Sequence, residues 1–290
     1  MKIAIIVNTG KEKALECSSS ITRILSEGGA EISILKEAFD KGACDSAVLP
    51  DIKDDYAELF DDCDIAVTVG GDGTIIHSAK YAAVSSKPMI GVNVGRLGFA
   101  AEVEPDNIQD LIRLLSGEYS VQSRMLLSVE LIHENGKCEK YLAVNDATVA
   151  RGQLSRIIDI SVSLNGSEIT TYSADGILFS TPTGSTAYAL SAGGPIVNPE
   201  MGCILLTPIC PHSLISRSVV FDSDSLLTAA ITTRDNIPAI LSIDGEVNLE
   251  LKQSDTVKVK RACEDLKLIT LYDRNFYRLL NEKLRERKSL

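Results

Sequence analysis

The chain has 290 residues, enough for one large domain or two ordinary ones, and 44% of them are hydrophobic, as in an ordinary globular protein. Its formal net charge of −11 makes nucleic acid and anionic membrane surfaces poor partners, and no apolar run approaches the ~20 residues of a membrane-spanning helix. The seven cysteines are odd in number, widely spaced and without a C-x-x-C pair, which speaks against a disulfide framework or a structural zinc site and for the cytoplasm.

"KIAIIVN" near the start is a β-branched run that ends at Asn8 and reads as a first strand. A signal peptide would carry a longer apolar region and a small-residue cleavage site. Ala14, Cys17, Ile21, Ile24 and Leu25 then recur at helical spacing, and Gly28-Gly29 supplies the stop. "EISILK" is a second strand, and residues 37–60 read as irregular and acidic. "DIAVTV" and "PMIGVN" are further strands, separated by a helix beginning near Gly73. Pro105 opens another helix, with Ile108, Leu111, Ile112 and Leu115 on one face and Gly117 closing it. Strands alternating with helices predict a doubly wound α/β domain with a mainly parallel sheet over residues 1–120.

Beyond that point the texture changes. Asn135-Gly136, Asn165-Gly166 and Asp244-Gly245 each lie between alternating apolar runs, the strongest short hairpin signal. Residues 121–265 are therefore expected to form an antiparallel β domain, with one helical interruption near 185–192. In the last segment, 266–290, Phe276, Leu279, Leu280 and Leu284 make a helical stripe compatible with packing back on the first domain.

Three polar clusters interrupt these elements. In the first, "DIAVTVGGDGTIIHSAK" (64–80), an apolar strand runs into Gly70, Gly71, Asp72, Gly73 and Thr74. Open parallel sheets bind ligands at the carboxyl ends of their strands. Glycines there admit a ligand close to the backbone, and the following helix turns its positive end to an anion. Such a loop suits phosphate, yet it carries a carboxylate. Asp72 is better explained by metal coordination or by accepting a proton from an attacking hydroxyl; the plain alternative is a Gly-Asp-Gly turn. Neither the P-loop nor the dinucleotide fingerprint occurs.

The second cluster is "TPTGSTAYALSAGGP" (181–195), with five hydroxyl-bearing residues among its first eight. It suits hydrogen bonding to sugar hydroxyls and base edges, and one of Thr183 and Ser185 is expected to cap the short helix. The third is Asn145-Asp146 inside "AVNDATVAR", where both residues are poor strand formers. It is either a bulge or turn, or a polar pair facing a ligand. His77, His133 and His212 are scattered and read as packed or solvent-facing.

Taken in order, "GGDGT", "GVNVGRLGFAAEV" (91–103), "ND", "TPTGSTAYALSAGGP" and "LTPICPHSL" (206–214) resemble the NAD kinases over nearly the whole chain. The resemblance implies transfer of a phosphoryl group from ATP, or from inorganic polyphosphate, to the 2′-hydroxyl on the adenosine side of NAD. It implies Mg²⁺ or another divalent cation with the donor, and a homo-oligomer, dimer or tetramer. It makes Asp72 the residue that activates the hydroxyl and Gly70, Gly71, Gly73 and Thr74 the phosphate cradle. Phe99 becomes an apolar contact to adenine, Asn145 and Asp146 a nucleoside-binding pair, and Thr183, Thr186, Ala187, Tyr188 and Ser191 further NAD contacts beside the acid Asp175. The family usually has Asn-Glu where this chain has Asn145-Asp146. The carboxylate is one methylene shorter, and a water can bridge the gap to a ribose hydroxyl. Two other readings use the same loop: a lipid kinase, for which the chain shows no basic patch or amphipathic anchor, and a non-catalytic nucleotide sensor.

Overall fold

The structure is a computed structural model that describes residues 1–95, 101–152, 157–213, 216–232, 238–273 and 275–286. The chain divides into two compact units, one of residues 1–123 with 266–290 and one of residues 124–265.

The first unit alternates strands and helices. They are β1 (Lys2–Val7), α1 (Glu12–Glu27), β2 (Glu31–Leu35), α2 (Lys36–Asp40), β3 (Asp51–Lys53), α3 (Tyr56–Asp61), β4 (Ile65–Gly70), α4 (Asp72–Val84) and β5 (Met89–Asn93). A 3₁₀ segment (Pro105–Ile112) and α5 (Arg113–Ser116) follow. The strands pair in parallel in the order β3-β2-β1-β4-β5. Ile3, Ile5, Val67, Val69, Ile90 and Val92 from the sheet share one core with Ile21 and Leu25 of α1. Gly29, at φ 91°, stops α1 where the spacing placed the stop.

Residues 37–60 are more regular than their composition suggests, holding α2, β3 and α3. The Asp55 carboxylate accepts the Glu58 N–H at 2.9 Å and so caps α3, while Leu59 and Phe60 are fully buried. An acid placed three residues before Glu58 is a helix-start signal that the surrounding acidic run obscures.

The second unit is antiparallel. β6 (Ser120–Ile132) enters it and pairs with β7 (Cys138–Ala143); then come β8 (Asp146–Arg151), β9 (Ile158–Leu164), β10 (Ser167–Ala174) and β11 (Gly176–Ser180). After a 3₁₀ turn (Thr183–Thr186) and α6 (Tyr188–Ser191) come β12 (Cys203–Ile209), β13 (Val219–Asp222), β14 (Leu227–Ile231), β15 (Ala239–Ile243), β16 (Val247–Leu251) and β17 (Thr256–Thr270). One sheet runs β13-β12-β11-β8-β15-β16. In the other, β10-β9-β14 continues to β17 through Leu227↔Val259. Inward residues of both, among them Val149, Phe179, Leu206 and Leu241 against Val129, Ile160 and Val257, make one core.

Asn165 and Gly166 (φ 51° and 86°), like Asp244 and Gly245 (φ 50° and 72°), put both central residues of their hairpins at positive φ, as the favoured two-residue turn demands. At Asn135-Gly136 only the glycine does so, giving a longer loop closed by the His133 N–H to the Lys137 carbonyl.

The tail of β17 belongs to the first unit, where Leu268 registers with Met89 and Ile269 and Leu271 join the core. The Arg113 guanidinium donates to the Leu271 carbonyl at 2.7 Å, and the Glu102 carboxylate accepts the N–H groups of Leu271 and Tyr272, both at 3.0 Å. The terminal helix α7 (Phe276–Glu286) has Leu280 buried; the side chain of Leu284 lies outside the described residues.

Candidate functional site

The first cluster lies where the strand order of the first unit reverses. From β1 the chain moves to β2 and β3 on one side, and from β4 to β5 on the other. The connections leaving β1 and β4 therefore diverge, and doubly wound sheets bind ligands in the crevice this opens. Gly70 ends β4, Gly71 precedes the first turn of α4, and Asp72 and Gly73 begin it, both exposed. The Gly-Asp-Gly run is thus the start of a helix, not an isolated turn. A buried hydroxyl contact at 3.0 Å between Thr68 and Ser78 ties α4 to β4.

Gly70 is required by packing, since a Cβ there would lie 2.6 Å from Thr74 Oγ1. That hydroxyl accepts from Asn8 Nδ2 at 3.1 Å, while Asn8 Oδ1 accepts the Gly10 N–H at 3.1 Å. At Gly73 a Cβ would meet nothing within 4 Å, so the protein leaves space beside this first turn, whose N–H groups have no carbonyl partner within the helix. Lys11 Nζ lies 3.6 Å from where a Gly71 Cβ would stand and 3.3 Å from the corresponding point at Gly95. A cavity of about 700 Å³ opens there, lined by Lys11, Lys13, Asn93, Gly95, Glu104 and Asp106 among others. Asn93 is buried, and its Oδ1 has no hydrogen-bond partner among the described residues. Phe99 lies outside the described residues.

The second cluster belongs to the second unit. Asn145 and Asp146 sit at the junction of β7 and β8, with Asp146 opening β8 opposite Ser180 of β11. Three successive N–H groups converge on one carboxylate: Val144 donates to Asp244 Oδ2 at 3.0 Å, and Asn145 and Asp146 donate to Oδ1 at 2.7 and 3.1 Å. Asp146 is 6% exposed, and burial first, then the charge of Asp244, push its carboxyl up to about 7, with a Thr148 hydroxyl bond opposing. The Asn145 carbonyl accepts the Thr181 N–H at 2.9 Å. Gly184 packs so closely that a Cβ would stand 2.2 Å from that same oxygen.

The hydroxyls of the Thr181–Tyr188 run divide sharply. Thr181 Oγ1, not Thr183 or Ser185, accepts the Gly184 N–H at 3.0 Å, and it donates to the Val144 carbonyl at 2.7 Å. Ser185 Oγ is committed to the backbone of Val197, and Thr186 Oγ1 donates to the Thr183 carbonyl at 3.3 Å. The expected cap is therefore elsewhere: the tight 3₁₀ turn brings its N–H back to the residue preceding Pro182. Thr183 Oγ1 is buried without a hydrogen-bond partner among the described residues, whereas Tyr188 is 47% exposed and Ser191 also exposed. Ala187 links the 3₁₀ turn to α6. Burial, followed by the charges of Asp146, Cys210 and Asp175, raises the Tyr188 phenol, so the two acids lie within electrostatic reach of one ring. Asp175 is engaged by Arg151 through both oxygens, at 3.0 and 3.1 Å.

Four participants were not legible as site residues. Asn8 shows only as the end of an apolar run, Lys11 and Asn93 as single polar residues at element ends, and Asp244 as the aspartate of a hairpin turn. The His212 N–H donates to the Ser173 carbonyl at 2.9 Å. His77 packs its ring against Tyr56 and Tyr81, and His133 bonds to Asp255 and Glu139.

An open parallel sheet with a glycine-rich strand-to-helix junction at its switch point, followed by a β unit carrying a second polar cluster, suits a nucleotide-directed phosphotransferase. The family models for the ATP-NAD kinase N-terminal and C-terminal domains match residues 3–119 and 144–271. The NAD kinase of Natranaerobius thermophilus is 36% identical over 97% of both chains. That of Geobacter sulfurreducens is 41% identical over 77% of this chain and 78% of its own. Among solved structures, yeast NADH kinase complexed with NADH superposes with a TM-score of 0.88 at 25% identity, covering 98% of this chain and 87% of that one. An NAD kinase from Archaeoglobus fulgidus in complex with ATP shares the fold, with a TM-score of 0.75 at 22% identity over 98% and 99%. The chain belongs to the NAD kinase family, which favours a kinase acting on NAD over a lipid kinase or a non-catalytic sensor. Among the described residues no helix is long and apolar enough to cross a membrane.

Proposed function

We propose that the protein phosphorylates the 2′-hydroxyl of the adenosine ribose of NAD, with ATP as donor, to give NADP. The observation that carries this is the junction Gly70–Thr74: an exposed acid, Asp72, in the first turn of a helix at the switch point of a parallel sheet. Gly70, Gly71, Gly73 and Thr74 would receive phosphate at the α4 N-terminus, and Lys11 supplies a local cation against the chain's acidic field. Asp72 takes the proton of the 2′-hydroxyl as its oxygen bonds to the γ-phosphorus and the bond to ADP breaks. Phosphoryl transfer asks mainly for alignment and charge neutralisation, so one acid and a rigid cradle suffice.

Asn145 and Asp146 hold the nucleoside, with Thr183, Thr186, Ala187, Tyr188, Ser191 and Asp175 around it and Phe99 against the adenine. The unpartnered Thr183 hydroxyl supports this, because a buried hydroxyl is costly unless something bonds to it. Among the described residues no three carboxylate, imidazole or thiol groups come together to hold a metal ion. Mg²⁺ arriving with ATP would supply neutralisation of the charge on the transferring phosphoryl group. Polyphosphate as a second donor, a dimeric or tetrameric assembly and a cytoplasmic location belong to the same proposal, supported by the family resemblance and, for the compartment, by seven unpaired cysteines.

Incubation with NAD, ATP and Mg²⁺ should release NADP, and replacing NAD by a diacylglycerol or sphingoid base should release no phospholipid. Binding of NAD and ATP without turnover would return the protein to the sensor class.

A further inference from the structure

We propose that Asp244 is a positioning residue for the acceptor nucleoside: its carboxylate sets the backbone of Val144, Asn145 and Asp146 and thereby aims the Asn145-Asp146 pair. The proposal rests on the role given to that pair above. Asp244 stands almost a hundred residues away in the turn between β15 and β16. There its φ of 50° and that of Gly245, 72°, suit asparagine at least as well as aspartate. The turn alone therefore gives no reason for a charge. The charge has another use, because both carboxylate oxygens accept, taking the Val144, Asn145 and Asp146 N–H groups at 3.0, 2.7 and 3.1 Å.

The grip is reciprocal, since the Asp244 N–H donates to the Asp146 carbonyl at 2.9 Å. Successive N–H groups folded around one anion form a rigid concavity, and hydrogen bonds to a charged acceptor are the strong ones. With those N–H groups held by Asp244, two of the segment's carbonyls are committed to the Thr181 side. There the Val144 and Asn145 oxygens accept from Thr181 Oγ1 and N at 2.7 and 2.9 Å. Asp244 thus joins the Asn145-Asp146 pair to the Thr181–Tyr188 run. The arrangement also carries a cost, since the partly exposed Asp244 places a second carboxylate beside the buried Asp146. The groups facing Asp146 are Asp244 from the hairpin turn, Tyr188 from α6 and the Thr148 hydroxyl from its own strand.

Asp244→Asn preserves the turn, since asparagine is favoured there, and replaces one acceptor oxygen by an NH₂ group that faces an N–H. Steady-state kinetics of the full-length enzyme should show KM for NAD raised about tenfold or more, with KM for ATP within about twofold and kcat within about threefold of wild type. The acid limb of kcat/KM for NAD should move to lower pH, because Asp146 loses a like charge beside it. Gly245→Ala strains the same turn but keeps the carboxylate; it should lower Tm and leave KM for NAD near wild type. The proposal is overturned if Asp244→Asn keeps a wild-type KM for NAD, if both KM values rise together, or if Gly245→Ala raises KM for NAD as much. Should wild type make no NADP, the assigned reaction fails. Calorimetric titration of NAD into wild type and Asp244→Asn then decides this proposal separately, equal affinities overturning it.

Discussion

The two clusters are built in opposite ways. The proposed phosphate cradle consists of consecutive residues, Gly70 to Thr74, at one strand-to-helix junction. The proposed nucleoside cluster gathers Asn145, Asp146, Asp175, Thr183, Tyr188 and Asp244 from a hundred positions of chain, and hydrogen bonds to backbone groups tie its segments together. The difference follows from what each ligand needs. A phosphate asks for N–H groups and close approach, which a helix start after glycines supplies locally. A nucleoside asks for several directional groups at fixed distances, which only long-range contacts can arrange. Changes in the first cluster should therefore act on chemistry, and changes in the second on recognition.

The largest effect tests the first half of that contrast. Asp72→Asn keeps the shape of the loop and removes the base, so kcat should fall by about 10²–10⁴-fold with KM for NAD little changed. Partial rescue by raised Mg²⁺ would move Asp72 from proton acceptor to metal contact, and near wild-type kcat would return the residue to a plain helix-start acid. The second half is tested by Asn145→Ala, which should raise KM for NAD about tenfold and reduce kcat much less. A collapse of kcat with unchanged KM would erase the distinction between the clusters.

Thr183→Val sharpens it further. Valine has threonine's shape without the unpartnered hydroxyl, so thermal stability should hold or rise slightly. KM for NAD should rise about threefold to tenfold if the hydroxyl contacts the substrate. A clear loss of stability would show that the hydroxyl has a structural partner.

The last test reads stability against pH. The Asp146 carboxyl is pushed up to about 7, so between its unfolded value near 4 and about 7 the folded state holds the extra proton. Stability contributed by this group is present at low pH and declines as pH rises toward about 7. Asp146→Asn should accordingly raise Tm relative to wild type at about pH 8 and change it little near pH 4. The gain is at most about 1.4 kcal/mol for every pH unit between the unfolded and folded values. Equal differences at both pH values would mean that Asp146 titrates normally.

Much of this molecule was determined by short stretches of sequence. Asn165-Gly166 and Asp244-Gly245 forced their hairpins because few residues tolerate positive φ twice in succession. Alternating strands and helices implied the parallel sheet, and the glycines around Asp72 marked the strand-to-helix junction at its switch point, because each of those signals is a property of neighbouring residues. Tertiary structure decided what depends on partners. It chose Thr181 over Thr183 and Ser185 for the turn N–H, since only Thr181 also reaches the Val144 carbonyl. It paired Asp175 with Arg151, and it drew order from the acidic stretch before β4 by burying Leu59 and Phe60. Above all it turned Asp244 from a turn residue into the anchor of a segment a hundred residues earlier, because a carboxylate's hydrogen-bonding capacity is intrinsic but the N–H groups that fill it are brought by the fold.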